Sequence, residues 1–198
     1  MRIGIFGGTF DPPHIGHLIL ASEAVDQLGL DRLLWVLTSD PPHKRDRSVS
    51  TILTRLEMVH AAIYGNPMFE LSRVDIDRPG PHYAVDTVRL LKEQFLQSEM
   101  FYLMGGDSLR DLPTWHKAEI FVNLCDGLGV MHRPIDAANM ECYQSGIKMA
   151  EDKIHYINAP LLQISSKDIR NRSMKGLSYR YYLPDAVHEL ILRNKNYL

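Results

Sequence analysis

MRIGIFGGTFDPPHIGHLIL, Met1 to Leu20, is the stretch whose reading decides the fold. Ile3 to Phe6 is a short apolar run of the kind that forms a buried strand, and Gly7-Gly8 ends it. After Pro12-Pro13, helical spacing begins at Ile15, Leu18 and Ile19. It continues to about Leu28, with Gly29 suited to the C′ position. A strand, a glycine turn and a helix N-terminus together hold anions well: the first N–H groups of the helix have no partner within it, and the macrodipole adds partial positive charge. Gly7 and Gly8 are expected to let backbone approach a ligand without a Cβ in the way. His14 and His17, three residues apart, share one helix face and can reach one ligand. The spacing fits neither the dinucleotide fingerprint nor the P-loop, so the phosphate site it implies is of another kind.

Outward from this stretch, strands and helices alternate. Leu33 to Leu37 is apolar throughout, which predicts a strand buried on both faces. Thr38 to Ser50 is polar and Pro-bearing, hence a loop. Ile52, Leu56, Val59 and Ile63 keep helical spacing between Thr51 and Tyr64, and Gly65-Asn66-Pro67 stops it. Met68 to Ser72 is a strand, and Ala84, Val88, Leu91 and Phe95 mark one face of the next helix. Met100 to Met104 is a strand ending at Gly105-Gly106. Asp107 to Val122 is helical but broken by Pro113, Gly127 to Met131 is a strand, and 136–150 is a modest helix. Ile154 to Ile157 is a short strand, Ser165 to Met174 a helix, and Pro184 to Arg193 another with Pro184 at N1. About six strands alternating with helices predict an α/β fold with a doubly wound, mostly parallel sheet and right-handed crossovers. The expected organisation is a single domain over 1–198, whose last part, from about 160, is a helical subregion with a second phosphate motif.

Composition narrows the function classes. A net charge of −2 offers no basic field for nucleic acid, and no apolar run approaches membrane length. Met1-Arg2 leads directly into a strand, leaving no room for a signal peptide. Cys125 and Cys142 lack metal-type spacing and suit a reducing compartment, so a cytoplasmic enzyme is expected. The sequence leaves a homo-oligomer open.

Ligands in such sheets sit beyond the carboxyl ends of the strands, and four further stretches follow strands. Pro41-Pro42-His43-Lys44-Arg45 is either a solvated cationic loop or, through Lys44, a mobile charge for phosphate. Asp77 to Tyr83, followed by Asp86-Thr87, reads as a turn and cap. Gly105-Gly106-Asp107-Ser108 allows backbone to lie against a planar base, and the Asp107 carboxylate can accept from ribose hydroxyls; it can equally cap a helix. Trp115 suits a ring-stacking wall or the core. In Ile164-Ser165-Ser166-Lys167-Asp168-Ile169-Arg170, a serine caps a helix whose N-terminus is a second anion site, and Arg170 lies one turn in with a fork for phosphate oxygens. No nucleophile–base pair stands out. The set is rich in anion donors, which suits nucleotidyl transfer to an acceptor that is already a phosphate and needs no general base.

The stretch Thr9 to His17, with His14-Ile15-Gly16-His17, resembles the signature of the nucleotidyltransferase superfamily related to class I aminoacyl-tRNA synthetases. The longer GGTFDPPHIGH is similar to the bacterial nicotinate-nucleotide adenylyltransferases, and the similarity spans nearly the whole chain. The resemblance implies a Rossmann-like nucleotidyltransferase fold and transfer of adenylate from ATP to nicotinate mononucleotide, giving deamido-NAD and pyrophosphate, with Mg²⁺ travelling with the ATP. It implies catalytic roles for His14, His17, Lys44 and Arg170. It places Gly7, Gly8, Thr9, Phe10, Gly105, Asp107, Arg133, Ser165 and Ser166 at ATP, and Tyr83, Thr87 and Trp115 at the mononucleotide. No protein residue is implied as a metal ligand. The chain departs from the family pattern at His82, Ala84 and Lys167, where the family carries serine, threonine and threonine. Nicotinamide mononucleotide and phosphopantetheine are alternative acceptors; a non-catalytic nucleotide sensor and a tRNA-linked synthetase fragment are readings from other classes.

Overall fold

Leu33, Leu34, Trp35, Val36 and Leu37 are each at most 1% exposed, so the second strand has both faces covered. A computed structural model describes residues 1–38, 49–131, 144–145, 148–160 and 162–197. Its strands are β1 (Arg2–Gly8), β2 (Arg32–Leu37), β3 (Phe69–Ser72), β4 (Glu99–Gly105), β5 (Gly127–Met131) and β6 (Ile154–Ile157). They form one sheet in the order β3-β2-β1-β4-β5-β6, and every neighbouring pair is parallel. Helices α1 (Ile15–Leu28), α2 (Ile52–Ile63), α3 (Ala84–Gln94), α4 (Gly106–Asp111), α5 (Ala118–Leu124), α6 (Ser166–Met174) and α7 (Asp185–Asn194) complete the described elements. The doubly wound α/β fold follows as expected. The strand order turns back between β1 and β4, which places the ligand crevice beyond their carboxyl ends.

Alternation along β2 divides the core between the two faces. Leu33, Trp35 and Leu37 join Leu20, Ala24 and Leu28 of α1 and Val59 and Ile63 of α2. Leu34 and Val36 join Val85, Val88 and Leu91 of α3 and Phe121 of α5. A third cluster, Met58, Ile169, Tyr179, Leu183, Val187 and Ile191, packs α6 and α7 against α2. Through it the C-terminal helices are tied to α2.

Helix α1 forms residue for residue as expected, with Gly29 at its end in the left-handed region (φ 58°). Thr51 caps α2 by accepting from the Thr54 N–H at 3.2 Å. The break expected at Pro113 is a single 3₁₀ turn, Leu112–Thr114, separating α4 from α5. Some boundaries are corrected: Phe95 is the C-cap of α3, and Pro184 is the N-cap of α7, not N1, its carbonyl accepting from Val187 and His188. Of the expected 136–150 helix, residues 144–145 and 148–150 are helical and the remainder lies outside the described residues. Among the described residues no helix is long and apolar enough to cross a membrane.

Burial pushes the Cys125 thiol up to about 12 and raises the Tyr102 phenol as well. Cys142 lies outside the described residues. The sign of the linkage is then fixed. Above the usual thiol range near pH 9 the unfolded chain ionises Cys125 while the folded chain keeps its proton, so the unfolded state binds fewer protons and stability falls with rising pH. Urea unfolding between pH 9 and 12 is expected to give an unfolding free energy that declines, by up to about 1.4 kcal/mol per pH unit for each such group; a flat profile would contradict the burial.

Candidate active site

Beyond β1, the chain runs through Thr9–Pro13 into α1, whose N-cap is His14 in extended backbone (φ −142°). The His14 carbonyl accepts from the N–H groups of His17 (2.9 Å) and Leu18 (3.3 Å). The His14 N–H donates to Nδ1 of His17 at 3.1 Å, a reciprocal cap in which His17 occupies the third helical position. Because Nδ1 accepts, the proton of the neutral His17 ring resides on Nε2, which makes that atom a hydrogen-bond donor. The two imidazoles lie 3.7 Å apart at 33°, so they serve one spot. Behind them the His17 ring packs edge-on against Phe10, at 5.2 Å between centroids.

Gly7 and Gly8 do not end the strand as expected: they are the last residues of β1, paired with Val36 and Leu37, and they have a different use from the one the sequence suggests. A Cβ on Gly7 would meet the Tyr102 hydroxyl at 2.9 Å, and one on Gly8 would meet the Phe10 ring at 2.7 Å. Both glycines therefore clear space for the protein's own aromatics. Phe10, expected at ATP, gives its ring to the core: it is 2% exposed and packs with Phe6 and Trp35. What it can offer a ligand is backbone, held at φ 47°.

Beneath this loop lies a buried polar hub that the sequence reading missed. Arg55, 2% exposed, donates from Nε to the Ser50 carbonyl (3.0 Å) and from one terminal nitrogen to the carbonyls of Thr9 (3.0 Å) and Thr38 (2.8 Å). It thus joins the loop after β1 to the end of β2. Burial lowers the Arg55 pKa, and the Asp11 carboxylate opposes that shift. Asp11, 3% exposed, accepts from the Ser50 N–H at 3.2 Å and from the Tyr197 hydroxyl at 2.5 Å. A signal for Arg55 was present: it falls on the apolar stripe of α2, three residues after Ile52 and four before Val59. Nothing local marks its partners.

Helix α6 is docked on the same loop. Ser165 is its N-cap, accepting from the Asp168 N–H at 3.1 Å and donating to the Asp168 carboxylate at 2.5 Å. Ser166 donates its hydroxyl to the Pro12 carbonyl at 2.8 Å. Arg170 donates to the Asp11 carbonyl at 2.6 Å and stands 3.9 Å from the Asp11 carboxylate. The serine hydroxyls are therefore taken up within the protein, leaving backbone N–H groups and the rest of the Arg170 fork for a ligand. Lys167 is exposed.

At the end of β4, Gly105 is the N-cap of α4, and a Cβ there would meet only open space. Asp107, in the first turn, is exposed, 3.7 Å from Arg110. Tyr102 connects this end to the first: its hydroxyl faces Gly7, and its ring meets Trp115 edge-on at 6.1 Å. Trp115 is half-buried against Phe121, so it has both a core face and a free one. Tyr83, the N-cap of α3, stacks on His116 at 4.1 Å, a partner the sequence reading did not name. Thr87 is turned inward. It is 3% exposed, and its hydroxyl donates to the Asp75 carboxylate at 2.8 Å, which also takes the Arg78 guanidinium at 2.9 Å. Its side chain braces the loop before α3. His82 is buried, with Nε2 3.2 Å from the Arg78 carbonyl. Ala84 begins α3. His43, Lys44, Arg45 and Arg133 lie outside the described residues.

Known proteins resemble this chain in sequence and in fold. The family model described as Cytidylyltransferase-like matches residues 5–172. The "Probable nicotinate-nucleotide adenylyltransferase" of Thermomicrobium roseum is 43% identical over 196 residues, covering 99% of this chain and 91% of its own. The nicotinate-nucleotide adenylyltransferase of Bacillus subtilis is 36% identical over 197 residues, covering 99% and 98%. Plasmodium falciparum nicotinic acid mononucleotide adenylyltransferase, solved in complex with NaAD, superposes with a TM-score of 0.79 at 19% identity, covering 99% of this chain and 97% of that one, a likeness of fold. The chain belongs to the nicotinate-nucleotide adenylyltransferase family.

Proposed function

We propose that this chain transfers the adenylyl group of ATP to nicotinate mononucleotide, releasing pyrophosphate and forming deamido-NAD, and that it does so in the cytoplasm as a single catalytic unit. The observation that carries the reading is the convergence of α1 and α6 on the Asp11-Pro12 backbone. That contact brings the N-terminus of α6 and Arg170 to the loop that leads into α1 and its tilted imidazole pair, and two positive helix ends so close together suit a phosphate-rich ligand. An oxygen of the mononucleotide phosphate forms the new bond to the α-phosphorus, and the bond to the bridging oxygen of the leaving pyrophosphate breaks. A phosphate monoester is already ionised near neutral pH, so no residue need remove a proton. His14, His17 and Arg170 donate to the oxygens on which negative charge grows, and the backbone from Gly7 to Phe10 lines the triphosphate. Gly105 and Asp107 take the adenosine side, Ser165 and Ser166 contribute N–H groups, and Tyr83 and Trp115 flank the pyridine. Lys44 and Arg133 complete the cationic set by their place in the sequence pattern.

Among the described residues no group of three or more metal-type side chains occurs, and both Asp11 carboxylate oxygens already hold donors. That donor set fits a Mg²⁺ ion carried by the phosphates, keeping most of its waters. When bound, the ion neutralises phosphate charge.

Purified protein given ATP, Mg²⁺ and nicotinate mononucleotide is expected to release pyrophosphate continuously, with a higher kcat/KM for this acceptor than for nicotinamide mononucleotide or phosphopantetheine. Preference for either alternative, or ATP binding without turnover, would overturn the assignment.

A further inference from the structure

Asp11 stands at the centre of the loop between β1 and α1, and all of its acceptors are occupied from elsewhere in the chain. Arg170 holds its carbonyl at 2.6 Å, Ser50 N–H one carboxylate oxygen at 3.2 Å, and the Tyr197 hydroxyl the other at 2.5 Å. Tyr197 lies 186 positions away in sequence. It reaches Asp11 because α7 ends in a built turn. Lys195 is in the left-handed region (φ 51°), and the N–H groups of Lys195 and Asn196 bond to the Leu192 and Ile191 carbonyls. Tyr197 is also left-handed (φ 64°). That conformation is disfavoured for a non-glycine residue, so two such residues within three are held by their contacts. The Tyr197 ring packs against the α2–α6–α7 cluster, with the hydroxyl 3.9 Å from Met58 Sδ. Burial and the neighbouring Asp11 charge both raise its pKa, so it remains a donor at neutral pH.

We propose that Tyr197 is a positioning residue for ATP. By fixing the Asp11 carboxylate, its hydroxyl sets the backbone from Thr9 to Pro13, which leads into His14 and His17 and offers the two carbonyls that seat Ser166 and Arg170. The inference rests on the ATP site proposed above. It reaches no substrate atom directly; it acts through Asp11.

Tyr197→Phe keeps the ring and its packing and deletes only the hydroxyl. Loss of a hydrogen bond to a charged group is expected to raise the Kd for a non-hydrolysable ATP analogue with Mg²⁺ about tenfold, and to lower kcat/KM for ATP by the same factor. The KM for nicotinate mononucleotide, measured at saturating ATP, stays within about twofold of the parent value, a split that general destabilisation would not produce. In an Asp11→Ala background, where no acceptor is left for the hydroxyl, Tyr197→Phe adds no further loss, because the two act as one unit. Unchanged analogue affinity in Tyr197→Phe overturns the proposal, as does a full additive loss in the double variant. If Asp11→Ala does not fold, the Tyr197→Phe affinity alone decides. Analogue binding by the parent without turnover of nicotinate mononucleotide sinks the proposed reaction instead, while the binding comparison still reads the role of Tyr197.

Discussion

Replacing His17 with alanine is expected to lower kcat by about 10²–10³, with the KM for nicotinate mononucleotide nearly unchanged. The magnitude follows from what the ring is arranged to do. The His14 N–H holds Nδ1 at 3.1 Å, so Nε2 carries the proton and presents a fixed donor beside the second imidazole. A donor held in place before charge develops needs no reorganisation when the α-phosphoryl becomes more negative, and such preorganised donors give the largest single catalytic effects. The same ring also caps α1, so alanine removes two functions at once. His17→Asn separates them: its side-chain oxygen sits close to where Nδ1 was and can accept from the His14 N–H, but nothing replaces Nε2–H. Steady-state kinetics and thermal unfolding of both variants provide the check. His17→Asn is expected to recover most of the lost stability and little of the kcat. Recovery of kcat by asparagine, or a loss under about threefold in alanine, would reduce His17 to a cap.

The second large effect is on folding. Arg55→Met conserves much of the side-chain length yet strips the donors from the Thr9, Thr38 and Ser50 carbonyls and removes the cation facing buried Asp11. Breaking one side of a buried charged network costs about 3–5 kcal/mol, because the remaining groups are desolvated and uncompensated. For a chain of this length that corresponds to a fall in Tm on the order of 10 °C. Arg55→Lys should restore only part of it: the charge returns, but a point ammonium cannot span three carbonyls that a planar fork reaches in different directions. Urea unfolding measures both variants. A change below about 1 kcal/mol in Arg55→Met would mean that the hub contributes little.

How far the sequence leads can be judged residue by residue. The unbroken apolar run Leu33–Leu37 was sufficient to predict a strand covered on both faces, because period and polarity are properties of neighbouring residues. The break at Pro113 and the Gly29 terminus of α1 were legible for the same reason: a missing N–H or an unhindered left-handed residue acts locally. The placement of His17 in the first turn followed from helix spacing, whereas His14 is not helical but is the extended N-cap before it. The serines of α6 were half legible. Ser165 as a cap is a local property, whereas the Ser166 hydroxyl goes to Pro12, 154 positions away.

The sequence by itself thus determined the alternation of elements, the sheet that such alternation must build, and the starts of α1 and α6, since each depends on side chains only a few residues apart. The tertiary structure decided which polar groups meet. It sent the Thr87 hydroxyl to Asp75, gave the space at Gly7 and Gly8 to Tyr102 and Phe10, and brought Arg55 and Tyr197 to either side of the loop around Asp11. Those pairings span the sheet order and the packing of α6 and α7 on α2. A hydrogen bond is satisfied at about 3 Å by whichever donor the fold delivers, and no local pattern encodes a partner that arrives from the far end of the chain.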